Sequence, residues 1–257
     1  MSGKKIKVIV ALSGGVDSSV ACALLLEKDY EVEAVFMKNW TPKSEAEGKF
    51  LCPLKADEKD ARVVASQLGI KFSTVSFEKE YRREVVDYLF EEYQAGRTPN
   101  PDILCNSKIK FKAFLDYALK RGADFVATGH YVRKTRDSRF VIRDSRYAIR
   151  DLRYKLLKGK DPNKDQSYFL YQITQEQLKH CLFPIGDYQK SEIRKLAKKH
   201  GLITQTKQDS QGICFVGEVA IKEFLKQNFR SLWIFLLNVN CKLYTELSKV
   251  KDVTPKK

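Results

Sequence analysis

The sequence feature that most constrains the fold is an alternation of short apolar runs with amphipathic stretches over residues 5–130. Residues 6–12 form an almost entirely apolar run, typical of a strand buried on both faces of a sheet, and residues 16–26 follow with helical spacing. The same patterns recur, and predict strands at 32–37, 72–75 and 124–128 and helices at 57–68, 81–93 and 111–120. The alternation predicts an α/β fold: a Rossmann-like parallel sheet flanked by helices, with a ligand site at the carboxyl ends of the strands.

The composition favours a folded protein with a polyanionic partner. Of the 257 residues, 43% are hydrophobic, and 47 Lys and Arg against 32 Asp and Glu give a net charge of +15. This charge favours nucleic acid over a membrane as the partner. No apolar run approaches the length that spans a bilayer, that at 232–237 holding six residues, and the N-terminus has no signal-peptide pattern. We therefore expect a cytoplasmic protein with no membrane partner. Its six cysteines include no CxxC pair, which argues against a disulfide scaffold or a zinc ribbon.

A basic stretch at residues 133–160 interrupts the alternating pattern. The tetrapeptide RDSR begins at Arg136 and again at Arg143, and RDLR begins at Arg150, so that the repeat is seven residues long. Eleven basic residues against three acidic ones give this stretch a net charge of +8. Two interpretations stay open. One is a duplicated surface insertion in a hairpin, and the other is a basic arm that binds RNA.

The segment SGGVDSS, at residues 13–19, follows the first predicted strand and opens the first predicted helix. Its two glycines let the backbone turn tightly and present N–H groups, and a helix N-terminus adds positive potential for a phosphate. Its serines add hydroxyl donors, and Asp17 is a possible ligand for Mg²⁺. The segment is neither a Walker A loop nor a dinucleotide-binding GxGxxG, so the alternative is an ordinary strand-to-helix turn. It resembles the pyrophosphate loop of ATP pyrophosphatases, which cleave ATP between the α and β phosphates to adenylate a substrate oxygen.

Two further segments each place a cysteine in a predicted loop. In TPNPDILCN, at 98–106, two prolines stiffen a loop that holds Asp102 and Cys105 three residues apart. A thiol that faces the basic groups of a nucleotide site gains thiolate character, and Asp102 is able to move a proton. In DSQGICF, at 209–215, Cys214 lies close to a glycine. Taken alone, each segment is better explained by a structural role than by a catalytic one. Two loop cysteines, an adenylating loop and a basic chain together, however, suggest sulfur transfer to RNA.

Five segments taken together resemble one enzyme family. SGGVDSS, TPNPDILCN, ATGHY (127–131), KDQSYFL (164–170) and DSQGICF follow one another in the order seen in tRNA-specific 2-thiouridylases. The likeness covers about residues 5–228 and is interrupted by the arginine repeat. It implies a tRNA-uridine 2-sulfurtransferase that thiolates the wobble uridine of the tRNAs for Lys, Glu and Gln, using ATP with Mg²⁺.

The resemblance also implies where ATP binds. The phosphates would be held by eight consecutive residues, and adenine by two residues that follow later strands. These are Ala11, Leu12, Ser13, Gly14, Gly15, Val16, Asp17 and Ser18 for the phosphates, and Met37, through its backbone, and Gly129 for adenine.

The resemblance implies a second set of residues for the RNA and the sulfur. The target base would be surrounded by Asn100, Pro101 and Asp102, with Asp102 as acid and base. Further tRNA contacts would come from His130, Lys164, Asp165 and Gln166. Cys214 would accept a persulfide sulfur from a sulfur-carrier or cysteine desulfurase protein, and Cys105 would be the nucleophile that helps to release it.

The likeness fades after Asn228. Members of the family usually continue through a small central domain into a C-terminal β-barrel that helps to hold tRNA, and the remaining 29 residues are too few for that barrel. We therefore predict a catalytic domain at 1–205, with the basic insertion at 133–160, and a remnant of the central domain with a divergent tail at 206–257. Two alternatives stay open: a catalytically impaired, truncated tRNA-binding relic, and another pyrophosphate-loop ligase that needs neither cysteine.

Overall fold

The computed structural model describes residues 4–40, 54–137 and 153–209, together with the backbone of two short strands at 142–144 and 147–149. Of the predicted site residues, Cys214 lies outside the described part of the chain, as does the DSQGICF segment beyond Asp209. The described residues belong to a unit that spans Met1–Glu218. The domain boundary predicted at residue 205 stays a prediction.

A five-stranded parallel sheet forms the centre of the fold. Its spatial order is β3-β2-β1-β4-β9, and every neighbouring pair is parallel. Val8, Ile9 and Val10 in β1 are fully buried, as expected for a strand covered on both faces. The strands within the described residues are β1 Lys7–Ala11, β2 Glu31–Lys38, β3 Lys71–Ser76, β4 Phe125–Ala127, β5 Val132–Asp137, β6 Ile142–Asp144, β7 Tyr147–Ile149, β8 Arg153–Lys158 and β9 Cys181–Leu182.

The predicted α/β fold class is confirmed, and four of the five sheet strands lie where the apolar runs predict them. The sequence analysis missed β9, because a strand of two residues is too short to leave a periodic pattern. The α-helices are α1 Val16–Glu27, α2 Leu54–Gln67, α3 Glu78–Tyr81, α4 Asp87–Gln94, α5 Pro101–Leu104, α6 Phe114–Lys120, α7 Gln175–Lys179 and α8 Lys190–Lys199.

The interpretation of residues 98–106 as a loop is wrong for its second half. Helix α5 begins at Pro101 and continues through a π-helical segment, Cys105–Ala113, into α6. The side chain of Asn100 caps this helix by accepting a hydrogen bond from the backbone N–H of Asp102 at 3.1 Å. A proline costs nothing at the first helical position, where its missing N–H would have no partner, so Pro101 starts the helix instead of breaking it.

The order of the strands locates the candidate site. From β1 the chain runs outward to β2 and β3, then returns to the other side of β1 through β4 and β9. Such a reversal opens a crevice at the carboxyl ends of the two strands on either side of it, β1 and β4. The segment after β1 is the glycine loop Ser13–Gly15, and the segment after β4 is Thr128–His130. Two of the five sequence motifs therefore meet at one crevice.

The basic insertion forms antiparallel hairpin structure. Strand β5 pairs with β8 along its whole length, from Val132 opposite Lys158 to Asp137 opposite Arg153, and β6 pairs with β7 between them. The predicted hairpin is confirmed, whereas the interpretation of the stretch as a duplicated insertion and its role as an RNA-binding arm stay predictions. No helix within the described ranges is long and apolar enough to cross a membrane.

Glu33 is a buried carboxylate that ties three elements of the sheet layer together. Its side chain accepts a hydrogen bond from Arg121, after α6, at 2.6 Å, and forms an ion pair with Lys7 in β1 at 3.2 Å. Burial raises the pKa of Glu33, but the hydrogen bonds and positive charges of Arg121 and Lys7 outweigh it and hold the pKa below its ordinary value.

We expect Glu33→Gln to destabilise the protein by about 2 kcal/mol at pH 7, because it removes two charge-assisted hydrogen bonds. The stabilisation by Glu33 is present above the ordinary glutamate pKa of about 4.3 and is lost as the pH falls through the lower folded-state value. Denaturant unfolding at several pH values measures this, and the difference between wild type and variant should shrink in acid. Glu31→Gln, at an exposed position of the same strand, is the control. A constant difference down to pH 3 would contradict this account.

Candidate nucleotide and sulfur-transfer site

The glycine loop between β1 and α1 has one position that requires glycine. Gly14 has a φ of +77°, and a Cβ there would lie 2.2 Å from the carbonyl oxygen of Asp57 in α2. Gly15 is different, because its φ is −92° and the nearest atom to a Cβ would be the Ser13 hydroxyl at 3.5 Å. The tight turn thus depends on Gly14, whereas Gly15 serves as the N-cap of α1.

The N-terminus of α1 is arranged to receive an anion. Its N-cap, Gly15, provides no side chain to cap the first N–H groups. Two buried serines bond within the loop instead: the Ser18 hydroxyl accepts from the backbone N–H of Ser13 at 3.2 Å, and the Ser19 hydroxyl donates to the Gly15 carbonyl at 2.8 Å. Ser13 itself is exposed. The loop therefore presents backbone N–H groups and one accessible hydroxyl, which suits a phosphate.

Asp17, in the first turn of α1, is engaged by side chains from two distant segments. The Tyr131 hydroxyl donates to its Oδ1 at 2.7 Å, and the Lys190 ammonium lies 2.8 Å from Oδ1 and 2.9 Å from Oδ2. Burial and the charge of Asp17 raise the pKa of Tyr131 far above its ordinary value, so its hydroxyl keeps its proton. Across the described residues, no cluster of three or more His, Cys, Asp or Glu side chains is placed to hold a metal ion.

The turn after β4 packs directly against the start of α1. A Cβ on Gly129 would lie 2.7 Å from the backbone nitrogen of Ser18 and 2.8 Å from the carbonyl carbon of Asp17. Only glycine fits this approach without displacing the helix. Met37, predicted to contact adenine through its backbone, lies buried near the carboxyl end of β2, and Ala11 is buried at the end of β1.

His130 is buried beside the same turn. Its Nδ1 lies 2.8 Å from the Thr128 hydroxyl, and its ring packs near Phe111 with centroids 5.8 Å apart. Burial and the positive charge of Lys110 hold the pKa of His130 well below its ordinary value. The imidazole is therefore neutral at pH 7, and any contact with RNA would be through hydrogen bonding.

Asp102 and Cys105 lie three residues apart on one continuous helix, a spacing that puts them on the same face. Asp102 is half-buried and Cys105 is fully buried. The Asn106 amide donates to the Asp102 carbonyl at 2.9 Å, and α5 contacts the short 3₁₀ turn Ser167–Leu170. The structure thus brings the TPNPDILCN and KDQSYFL motifs together.

The three polar residues predicted to contact tRNA from KDQSYFL all have protein partners. Gln166 Oε1 accepts from the backbone N–H of Tyr131 at 2.9 Å, and the Asp165 carboxylate accepts from the Ser167 backbone N–H at 3.0 Å. Lys164 forms an ion pair with Asp209. These side chains therefore join the ATGHY turn, the 3₁₀ turn and the first residue of DSQGICF.

Asp209 is surrounded by three cations. Besides Lys164, its carboxylate lies 2.6 Å from the Lys190 ammonium and 3.3 Å from the Arg194 guanidinium. Burial raises the pKa of Asp209, but hydrogen bonds and charges from the two lysines outweigh it and lower the pKa. The sequence analysis missed Lys190 and Arg194. The signal for Lys190 is a cation at the first position of a helix, directly after an N-cap, where cations are disfavoured.

The second predicted cysteine, Cys214, lies outside the described residues, and its pairing with Cys105 stays a prediction. Among the described cysteines, Cys22 and Cys181 are buried away from the predicted chemistry, and burial raises the pKa of each thiol to about 12. Neither thiol forms a thiolate at neutral pH.

We expect Gly14→Ala to destabilise the protein by about 2 kcal/mol or more, because a left-handed conformation and a backbone clash with Asp57 combine. Gly15→Ala should change stability by no more than about 0.5 kcal/mol, because its φ and its surroundings accept a Cβ. Denaturant unfolding followed by circular dichroism measures both. Equal losses for the two variants would contradict the different roles assigned to these glycines.

Comparisons with known proteins agree with this arrangement. The sequence profile of the family described as "tRNA methyl transferase HUP domain" matches residues 6–218. Curated relatives include the tRNA-specific 2-thiouridylase MnmA of Stutzerimonas stutzeri (strain A1501), 54% identical over 225 residues that cover 87% of this chain and 56% of the relative. The enzyme of the same name from Christiangramia forsetii is 52% identical over 225 residues, covering 88% of this chain and 54% of the relative.

The chain spans just over half the length of these curated relatives. Among solved structures, a 4-thiouridine synthetase–RNA complex with bound ATP has a similar fold, with a TM-score of 0.50 and 19% identity over 89% of this chain and 51% of that one. The profile match extends over most of the present sequence and includes all five of its motifs. The chain therefore belongs to the tRNA methyl transferase HUP domain family, and its predicted resemblance to tRNA-specific 2-thiouridylases is confirmed.

Proposed function

We propose that this protein acts in the ATP-dependent 2-thiolation of the wobble uridine in the tRNAs for Lys, Glu and Gln. The observation that carries the proposal is the convergence of the motifs on one edge of the sheet. Gly129 packs on α1 at Asp17, Gln166 bonds to Tyr131, and α5 contacts the turn after Gln166. These contacts link a loop suited to phosphate with the helix that carries Asp102 and Cys105, and the relatives of this chain are named for this activity.

ATP is proposed to bind with its phosphates at the N-terminus of α1. The loop from Ala11 to Ser18 supplies backbone N–H groups and the exposed Ser13 hydroxyl. Adenine lies between the backbone of Met37 and the turn at Gly129, at the carboxyl ends of β2 and β4. Mg²⁺ would supply charge neutralisation for the phosphates when bound.

The reaction needs activation because the C2 carbonyl of uracil is a poor electrophile. Its oxygen attacks the α-phosphorus of ATP and pyrophosphate leaves, which gives an adenylated base. The terminal sulfur of a persulfide on Cys214 then attacks C2. The bond between C2 and its oxygen breaks, and AMP departs with that oxygen. The Cys105 thiolate attacks the Cys214 sulfur, which releases the thiolated base and leaves a Cys105–Cys214 disulfide that a thiol reductant must open before the next turnover.

The helix that carries Asp102 and Cys105 supports the last two steps. The two side chains share a helix face, so Asp102 is placed to exchange a proton near the thiol. Cys105 is fully buried, which keeps water from an attacking thiolate and requires the sulfur to enter the crevice. Asn100 and Pro101 fix the start of the helix next to the target base.

The partners follow from charge and chemistry. A net charge of +15 suits the phosphates of tRNA, and the affinity should fall steeply with salt. The wobble base must leave its stack to reach the crevice. A sulfur-carrier or cysteine desulfurase protein is proposed as the persulfide donor, since no side chain can generate that sulfur.

We expect the purified chain, given ATP, Mg²⁺, a cysteine desulfurase with cysteine as the persulfide donor, a thiol reductant and unmodified tRNA for Lys or Glu, to form 2-thiouridine at the wobble position. Nucleoside analysis by mass spectrometry measures the product. Cys105→Ser and Cys214→Ser should each lower the yield by at least 100-fold, roughly the scale of losing an activated nucleophile.

Cys181→Ser is the matched control, because that buried thiol donates to the Gln177 carbonyl at 3.0 Å and a serine hydroxyl can do the same. It should leave the yield unchanged. A wild-type chain that forms no 2-thiouridine but consumes ATP to ligate another substrate, with a yield that survives both cysteine changes, would indicate another pyrophosphate-loop ligase. Binding of tRNA without any consumption of ATP would indicate a tRNA-binding relic.

A further inference from the structure

Lys190 is the ionic partner of Asp17 in the described part of the chain. Its ammonium lies 2.8 and 2.9 Å from the two carboxylate oxygens and 2.6 Å from Asp209, and the lysine side chain is only 15% exposed. The Tyr131 hydroxyl completes the surroundings of Asp17. This arrangement joins the start of α8 to the start of α1, two elements 173 residues apart in sequence.

The position of Lys190 is unfavourable for its own helix. It is the first residue of α8, where the helix dipole favours anions and a cation costs about 0.3–1 kcal/mol. The helix start is otherwise well made: Gln189 and Glu192 form a capping box, and the Lys190 backbone N–H donates to Asp161 at 2.8 Å. The stability of α8 therefore does not explain why position 190 is a lysine. The explanation is that Lys190 bridges the carboxylates of Asp17 and Asp209.

The pairing changes what the nucleotide loop presents to a phosphate. Asp17 is half-buried in the first turn of α1, where an unpaired carboxylate would oppose the positive potential of the helix N-terminus. We propose that Lys190 is a positioning residue that neutralises Asp17 and so keeps the start of α1 attractive to the polyphosphate of ATP. This inference rests on the proposed function, since it takes ATP as the ligand of the loop.

Asp209, the second carboxylate in contact with Lys190, does not depend on Lys190 for its neutralisation. Asp209 keeps Lys164 and Arg194 as partners if Lys190 is removed, whereas within the described residues Asp17 keeps the neutral Tyr131 hydroxyl and no cation. Loss of Lys190 therefore exposes one specific negative charge, that of Asp17. Removing the charge of Asp17 as well should restore the positive potential at the start of α1.

The test is the affinity for ATP without magnesium, measured by calorimetry in EDTA. We expect Lys190→Met to weaken ATP binding by about tenfold or more, the scale of one unneutralised charge near the phosphates. Lys190→Arg should bind within about threefold of wild type. The double variant Asp17→Asn with Lys190→Met should recover most of the lost affinity, because the asparagine can still accept from Tyr131 and carries no charge.

A double variant that binds as weakly as Lys190→Met would overturn the inference, because the lysine would then act on the phosphate directly or through the fold. Lys195→Met removes an equal charge from an exposed position of α8 and should leave affinity unchanged. Thermal melting checks each variant, and Lys190→Gln replaces Lys190→Met in the cycle if the methionine variant does not fold. A wild-type chain that binds ATP neither in EDTA nor with Mg²⁺ would overturn the proposed function itself, whereas ATP binding without rescue overturns only this inference.

Discussion

The parallel pairing of β1 with β2 on one side and β4 on the other is the constraint on which the candidate site depends. Parallel strands deliver the segments that follow them to the same edge of a sheet, and the reversal of strand order at β1 opens a crevice there. Two glycines then allow the backbones to approach: Gly14 against α2 and Gly129 against α1. The geometry of the candidate site is therefore a property of sheet order and close backbone packing before any charged side chain contributes.

Ion pairs between distant segments hold the rest of the site against this edge. Asp17 and Asp209 share Lys190, and Lys207 bridges Asp57 and Asp60 on α2, at 2.7 and 2.5 Å. Although the chain carries a large positive charge, each of these acidic residues is matched by a lysine at contact distance. The partly buried positions of these groups reduce screening by salt, so the pairs fix geometry more firmly than exposed ones would. The same lysines that suit a polyanionic partner thus organise the site from within.

The sequence predicted the centre of the sheet well because β1 and β2 are buried on both faces, and such strands leave continuous apolar runs. The prediction failed at Pro101, because the effect of a proline depends on its position relative to the start of a helix. Proline is typical of loops, so the sequence analysis assigned Pro101 to a loop. Because Pro101 follows the N-cap Asn100, it instead begins the helix that carries Asp102 and Cys105. Lys164 and Gln166, which are predicted to contact tRNA, also have partners inside the protein, and their contact with RNA stays a prediction. A motif records which residues recur together, and it does not record which atoms they bind.

By itself the sequence determined the α/β alternation, the glycine loop at the end of the first strand and the order of the motifs. Each of these depends on residues that are adjacent in sequence or on the short spacing of apolar residues in a helix or strand. Tertiary structure alone decided that Lys190 pairs with Asp17, that Glu33 joins Arg121 and that Gly129 touches the start of α1. These contacts depend on which strands become neighbours in space. An ion pair or a close backbone approach leaves no periodic trace along a chain when its two members lie about a hundred residues apart or more.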